Sequence, residues 1–256
     1  MHYSINNTQL NVLELGNGPL TLVFLHYFGG SALEWQVVMN QLAGQYRCLA
    51  VDLRGHGDSE ASATGYSVPD MANDVVELLR VMNVEAFALV GHSMGGKVAL
   101  ALASQKPAGL QSLVLLAPSP PVPEPIPDND RADMLANHGQ RANAEQTVAK
   151  ITARSLSQEV KEQIVIDNLR TADVAWKAWL TLGSKEDISE QMSNIIIPVA
   201  ILVGTADQAL LPNVQTTMTL PYLKTATLDR IDGAGHLLPW ETPNDVVAFI
   251  QRTMAG

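Results

Sequence analysis

The sequence predicts an α/β fold, with a mostly parallel central sheet flanked by helices and a helical segment inserted late in the chain. Three observations carry this. Short apolar runs alternate with helical patterns through the first half, as βαβ units do. Six prolines then break the pattern at 118–127: Pro118, Pro120, Pro121, Pro123, Pro125 and Pro127. Beta-like runs resume after residue 194, and the chain closes on a helical pattern.

The elements follow in order. Gln9–Glu14 reads as a strand after an Asn6-Asn7 turn. Leu20–Leu25 is a continuous apolar run after Gly18-Pro19, as expected of a strand covered on both faces. Ala32–Leu42 is helical in pattern, Arg47–Val51 is a third strand, and Asp70–Met82 is a helix opened by Ser67 and Pro69. Ala86–Val90 is a strand, Ser93–Gln105 an alanine-rich helix and Leu110–Leu116 another strand. Proline fits neither ladder nor helix interior, so 118–127 reads as a stiff connector. The following segment, to about Ser193, is polar with helical stretches at Ala142–Ala153, Gln158–Asn168 and Asp173–Leu182. Ile195–Ile197, Val199–Val203 and Ala226–Ile231 are β-like, and Val246–Met254 is a closing helix. The division expected is a core of residues 1–117 and 194–256, with a proline-rich connector and helical cap at 118–193.

Composition narrows the function. The chain has 256 residues, 46% of them hydrophobic, and a formal net charge of −10. Such acidity repels nucleic acid and anionic membrane, so neither is an expected partner. Residues 128–193 hold 8 of the 16 basic and 11 of the 26 acidic residues, so most of the acidity belongs to the core and disfavours anionic substrates. Cys48 is the single cysteine and sits in the apolar run Cys48-Leu49-Ala50-Val51, so it reads as a small buried hydrophobe. The opening Met1-His2-Tyr3-Ser4-Ile5-Asn6-Asn7 is not a leader pattern, and no apolar stretch is long enough to span a bilayer; a cytoplasmic enzyme is the expectation.

The chemistry centres on Gly91-His92-Ser93-Met94-Gly95-Gly96, which follows a strand and opens a helix. In a turn that sharp, side chains two residues either side of the serine clash, so glycine stands at both positions. The hydroxyl of Ser93 is then exposed above the sheet as a nucleophile, with the Met94 N–H at the helix N-terminus aimed where an oxyanion forms. A serine needs a base, and the base needs an orienting carboxylate. His236, in Asp232-Gly233-Ala234-Gly235-His236, lies between the last strand and the last helix. His2 is terminal, His56 reads as loop packing, His92 is directed away from the serine, and His138 reads as a solvated residue of the polar insertion. Asp207 ends Val203-Gly204-Thr205-Ala206-Asp207 at a strand end, where catalytic side chains gather in parallel sheets. Asp229 reads as a surface residue and Asp232 as a loop cap. The second oxyanion donor belongs in the loop His26-Tyr27-Phe28-Gly29-Gly30, with the Phe28 N–H as candidate.

With these residues in place, the sequence resembles an α/β-hydrolase of the small, lidded esterase-like kind over nearly its whole length. The oxyanion loop His26–Gly30, the strand and turn Val51–Ser59, the elbow Gly91–Gly96, the acid turn Leu202–Asp207 and the histidine loop Gly233–His236 carry the resemblance. It implies acyl transfer to water with no cofactor and no metal but says little of the substrate, which the apolar pocket candidates below suggest is a small, largely apolar carboxylic ester. The family usually has glycine directly after the oxyanion-loop histidine; here Tyr27 stands there, either narrowing the pocket or offering its hydroxyl to the oxyanion. Dehalogenases and epoxide hydrolases of this fold carry aspartate at the elbow, where this chain has Ser93. Met134, Trp176, Trp179, Leu237 and Tyr27 are the candidate pocket residues, with packing of the insertion as their other reading. A lactonase or carbon–carbon bond hydrolase, a perhydrolase or cofactor-free oxidative enzyme, and a slow-turnover ligand receptor use the same framework.

Overall fold

The strands His2–Ile5 (β1), Thr8–Leu15 (β2), Thr21–Leu25 (β3), Arg47–Val51 (β4), Phe87–His92 (β5), Leu110–Leu116 (β6), Val199–Gly204 (β7) and Ala226–Ile231 (β8) form one sheet in the computed structural model, which describes residues 1–255. Their order is β1-β2-β4-β3-β5-β6-β7-β8. β1, β2 and β4 pair antiparallel; every pair from β4 to β8 is parallel. Side chains of a strand alternate faces, and β3 shows the consequence. Leu22 and Phe24 join one apolar cluster with Trp35, Val38 and Met39, while Val23 and Leu25 join the other with Val75 and Val98. Each such side chain contributes about 1.5–3 kcal/mol on burial.

The helices are Gln36–Leu42 (α1), Val68–Val81 (α2), Met94–Ser104 (α3), Asp128–Ala136 (α4), Arg141–Ile151 (α5), Gln158–Arg170 (α6), Asp173–Thr181 (α7), Leu238–Glu241 (α8) and Pro243–Ala255 (α9). α2 and α3 cover one face of the sheet, α1 and α9 the other. At the start of α2 the Ser67 hydroxyl accepts the Asp70 N–H and the Asp70 carboxylate accepts the Ser67 N–H, a reciprocal cap. α4 to α7 lie between β6 and β7, and residues 118–127 form neither strand nor helix. None of the described helices is long and apolar enough to cross a membrane.

The structure departs from expectation at several elements. β1 is an additional strand, joined to β2 through Asn6 and Asn7 at φ 45° and 61°, the double positive-φ turn that suits the twist of a hairpin. The Ala32–Leu42 helix is split, because Ala32–Trp35 form a tighter 3₁₀ turn capped by the Ser31 hydroxyl. α4 is an additional helix. Ile195–Ile197 makes no ladder: it follows a 3₁₀ turn, and Pro198 beyond it has no N–H to give.

Two buried carboxylates fix the loops between β4 and α2. Asp52 accepts from Ala32 N at 2.6 Å, Asn11 Nδ2 at 2.9 Å and Asp58 N at 2.9 Å. Asp74 accepts Arg54 Nε and Nη2, both at 2.6 Å, in a fork with both side chains buried. Removing one member of such a pair leaves a buried charge alone, a cost of about 3–5 kcal/mol. Asp74→Ala is therefore expected to lower the stability read from urea denaturation by that amount. The exposed Arg80–Glu77 pair is the control, and Arg80→Ala is expected to leave the midpoint near that of the parent.

Candidate active site

Ser93 stands between β5 and α3 with φ 50° and ψ −114°. A Cβ on Gly91 would lie 2.6 Å from the Gly95 carbonyl oxygen, and one on Gly95 2.4 Å from the Leu25 carbonyl oxygen, so the turn admits only glycine at both. Its backbone is held on each side: Ser93 N donates to Leu116 O at 3.0 Å, and Ser93 O accepts from Ser119 N at 2.9 Å. A strained residue persists when its surroundings over-determine it in this way.

The loops after β7 and β8 supply an acid and a histidine. Asp207 is fully buried, and its Oδ1 accepts the N–H groups of Ala209 (2.8 Å) and Leu210 (3.0 Å). Its Oδ2 lies 2.7 Å from His236 Nδ1. A carboxylate only accepts, so the His236 proton sits on Nδ1 and the Nε2 lone pair is free. Burial works against charge on His236. The charge and hydrogen bond of Asp207, with Glu124 and Glu241 further away, outweigh it and raise the imidazole above its ordinary value. The His236 backbone is anchored as well: its N–H donates to Ile151 O at 2.8 Å, and its carbonyl accepts from His92 Nε2 at 2.9 Å. The His236 ring packs on that of His92, the residue before Ser93, with centroids 5.1 Å apart.

The loop after β3 is bound to the same turn by Gly95 N donating to His26 O at 3.1 Å. Among the described residues, the N–H groups of Phe28 and Met94 have no protein acceptor. The Phe28 ring stacks on Trp176 at 4.3 Å and nears Trp179 at 6.1 Å. Both tryptophans are buried in the larger apolar cluster, with Met134 packed against it and its carbonyl accepting Trp176 Nε1 at 2.9 Å. Tyr27 turns the other way. Its ring lies over Gly30, where a Cβ would come within 2.4 Å, and packs with Leu237, Ala144, Val148, Ile164 and Val165.

His138 corrects an expectation. It is not solvated: its side chain is 8% exposed, stacks on Trp176 at 4.3 Å and reaches Asp173 Oδ1 at 2.8 Å. Polar flanking residues concealed a contact made across the chain. His26 and His56 are also buried, which lowers them to about 4 and about 3.

Four further groups belong to this region and went unread in the sequence. Glu34 faces His92 Nδ1 at 3.1 Å, with both side chains buried. Glu241 accepts the N–H groups on either side of His236, Gly235 at 3.0 Å and Leu237 at 3.1 Å, and those of Ala153 and Arg154. Glu124, in the connector, accepts Ser119 Oγ at 3.3 Å; burial raises its carboxyl, against the charges of Lys97, His236 and Arg131. Lys97 is fully buried, which lowers it to about 8, and its Nζ donates to Val122 O (3.2 Å) and Glu186 O (2.6 Å). Glu34 is the one acid in an otherwise apolar stretch, and Glu241 falls five residues after His236; these were the available signals. A cavity of about 400 Å³ between α5 and α6 contains none of these groups and has no reactive pair of its own.

Comparison with known proteins bears on the fold. The family model described as "alpha/beta hydrolase fold" matches residues 21–179. A dihydrolipoyllysine-residue acetyltransferase component of the acetoin cleaving system from Cupriavidus necator is 26% identical over 98% of this chain and 68% of its own length. An esterase from Exiguobacterium antarcticum superimposes with a TM-score of 0.92 at 19% identity, covering 100% of this chain and 99% of that one. A bromoperoxidase from Bacillus anthracis superimposes with a TM-score of 0.90 at 18% identity, covering 97% and 96%. At such identities the two structures show a shared fold.

The electrostatics is open to direct measurement. In a protein carrying ¹⁵N-labelled histidine, His236 is expected to titrate above the ordinary 6.5. In Asp207→Asn the burial cost remains while the compensating charge is gone, so the midpoint is expected to fall below the parent's. An unchanged midpoint contradicts the assignment.

Proposed function

The chain belongs to the α/β-hydrolase family, and we propose that it is a serine hydrolase that transfers the acyl group of a small, largely apolar carboxylic ester to water. The carrying observation is His236, pinned at Nδ1 by Asp207 2.7 Å away and packed on the residue that precedes the strained Ser93.

The reaction follows from the groups in order. Ser93 Oγ attacks the ester carbonyl while its proton passes to the free Nε2 of His236. Asp207 keeps the ring in that tautomer and stabilises the imidazolium. The carbonyl oxygen becomes an oxyanion, which the N–H groups of Met94 and Phe28 receive, each contributing about 10²–10³ in rate. The Met94 donor gains from its place at the N-terminus of α3. His236 then protonates the departing alcohol. Water, deprotonated by the same Nε2, attacks the acyl-enzyme, and the proton returns to Ser93 as the acid leaves.

In this reading residues 118–193 form a cap over the site. Support comes from the contacts the segment makes with the loops around Ser93. Asp167 of α6 accepts Ser31 Oγ at 2.8 Å, Ile151 accepts His236 N, and Trp176 stacks on Phe28. Phe28, Met134, Trp176 and Trp179 then bound one side of a small apolar pocket, and Tyr27 with Leu237 the other. The Tyr27 ring packs over Gly30 and in the cluster with Leu237, so its part in this reading is to shape the pocket. The net charge of −10 disfavours acids as substrates.

Labelling by a fluorophosphonate is expected to modify Ser93 alone, and Ser93→Ala is expected to abolish both labelling and turnover of p-nitrophenyl acetate. Turnover retained by that variant overturns the proposal. Asp207→Asn is expected to lower kcat by about 10⁴-fold. Across p-nitrophenyl esters from acetate to octanoate, kcat/KM is expected to fall with chain length; a rise contradicts the small pocket. A parallel lactone panel tests the ring form of the same electrophile.

A further inference from the structure

Behind the Asp207–His236 pair stands a second carboxyl–imidazole pair, Glu34 and His92, whose side chains are 1% and 0% exposed. His92 is held at both nitrogens. Nε2 lies 2.9 Å from the His236 carbonyl oxygen, and Nδ1 lies 3.1 Å and 3.3 Å from the two oxygens of Glu34. A carbonyl accepts and never donates, so the Nε2 position carries a proton. One further proton then bridges Nδ1 and Glu34, and the pair holds no net charge wherever along that bond the proton sits. Glu34 itself belongs to the 3₁₀ turn Ala32–Trp35, so the pair reaches from that turn to the loop after β8. The His92 ring is enclosed by Tyr27 (5.3 Å), Trp35 (6.4 Å) and His236 (5.1 Å).

We propose that Glu34 and His92 act as one uncharged positioning unit, which ties the backbone of His236 to the 3₁₀ turn that follows the oxyanion loop and leaves His236 free to gain a proton. The proposal rests on His236 being the base of the reaction above. It goes beyond that reading in naming what holds the backbone of the base in place. A cationic His92 would stand against the imidazolium that His236 becomes, two like charges on packed rings. A net-neutral pair removes that conflict while keeping both hydrogen bonds.

The surroundings agree. Burial raises Glu34 well above its ordinary value, the Tyr27 N–H opposes this, and Asp167 of α6 adds to it. Burial lowers His92 well below its own, as do the neighbouring His236 and His26, while the His236 carbonyl opposes them. The titratable groups that face the pair are therefore Tyr27 and His26 from the loop after β3, Asp167 from α6 and His236 from the loop after β8.

The test has a spectroscopic arm and a kinetic arm. In the intact protein with ¹⁵N-labelled histidine, His92 is expected to hold the Nε2–H form without titrating from pH 5 to 9, while His236 titrates. A His92 that becomes doubly protonated in this range, independently of His236, overturns the proposal; this arm needs no variant and no activity. In the kinetic arm Glu34→Leu removes the bridge, and kcat is expected to fall about 10–10²-fold, with KM within about threefold. Glu34→Gln restores an N–H donor to Nδ1, and is expected to recover most of that loss. Equal kcat for Glu34→Leu and the parent, or no recovery in Glu34→Gln, overturns the positioning role. Failure of the Ser93→Ala test removes the proposed reaction and leaves the ¹⁵N result standing, so the two failures are distinct.

Discussion

The structure around Ser93 depends on one close approach: the first turn of α3 is pressed against the end of β3. Gly95 has its backbone where any side chain would strike the Leu25 and His26 carbonyl oxygens, and its N–H bonds His26. This is possible because β3 lies between β4 and β5, so the connection from β3 to β4 and the one from β4 to β5 run in opposite directions along the sheet. Parallel α/β sheets gather their sites at such a reversal of strand order. The loop after β3 and the turn after β5 thus meet by topology. Strands β7 and β8, on the far side of β6, bring Asp207 and His236 to the same carboxyl edge.

What was legible in the sequence was what its local pattern encodes. The apolar runs of β3, β5 and β7, the glycines around Ser93, and the glycine-rich approach to His236 each need only their own neighbours to be read. β1 lacked that clarity: its outer residues are exposed and it is a strand because β2 pairs with it. α4 is polar on nearly every side, and its one buried residue, Arg131, is held by Leu180 O and the Ser184 hydroxyl from elsewhere in the chain. The run Ile195–Ile197 misled because apolarity alone does not make a ladder; Ile195 is buried while Ile196 is 76% exposed. The surroundings of His138, in the turn after α4, are set by Trp176 of α7 and leave no pattern among its polar neighbours.

The acids that frame the site were the least legible. Glu34 meets its partner 58 residues away, and Glu241 collects N–H groups from two loops. Neither contact leaves a spacing in the sequence, because backbone donors are the same in every residue. Lys97 shows the reverse arrangement, a buried ammonium holding two backbone carbonyls of the connector and of the stretch after α7. Such bonds to charged groups are about twice as strong as neutral ones. Backbone geometry here is set by a few ionisable side chains that sequence periodicity cannot rank.

The place of α4 to α7 has an evolutionary consequence. β6 and β7 are parallel neighbours, Leu113 beside Val199, and any such pair requires a crossover of at least a dozen residues. Here that obligatory return path carries the four helices. Closure entropy rises with the logarithm of loop length, about 0.6 kcal/mol per doubling. Changes of length in this excursion away from Ile151, Ala153 and Arg154, which bond His236 N and Glu241, therefore cost the sheet little. Descendants of one ancestral scaffold can diversify there by insertion and deletion, trying new selectivities while retaining their chemistry.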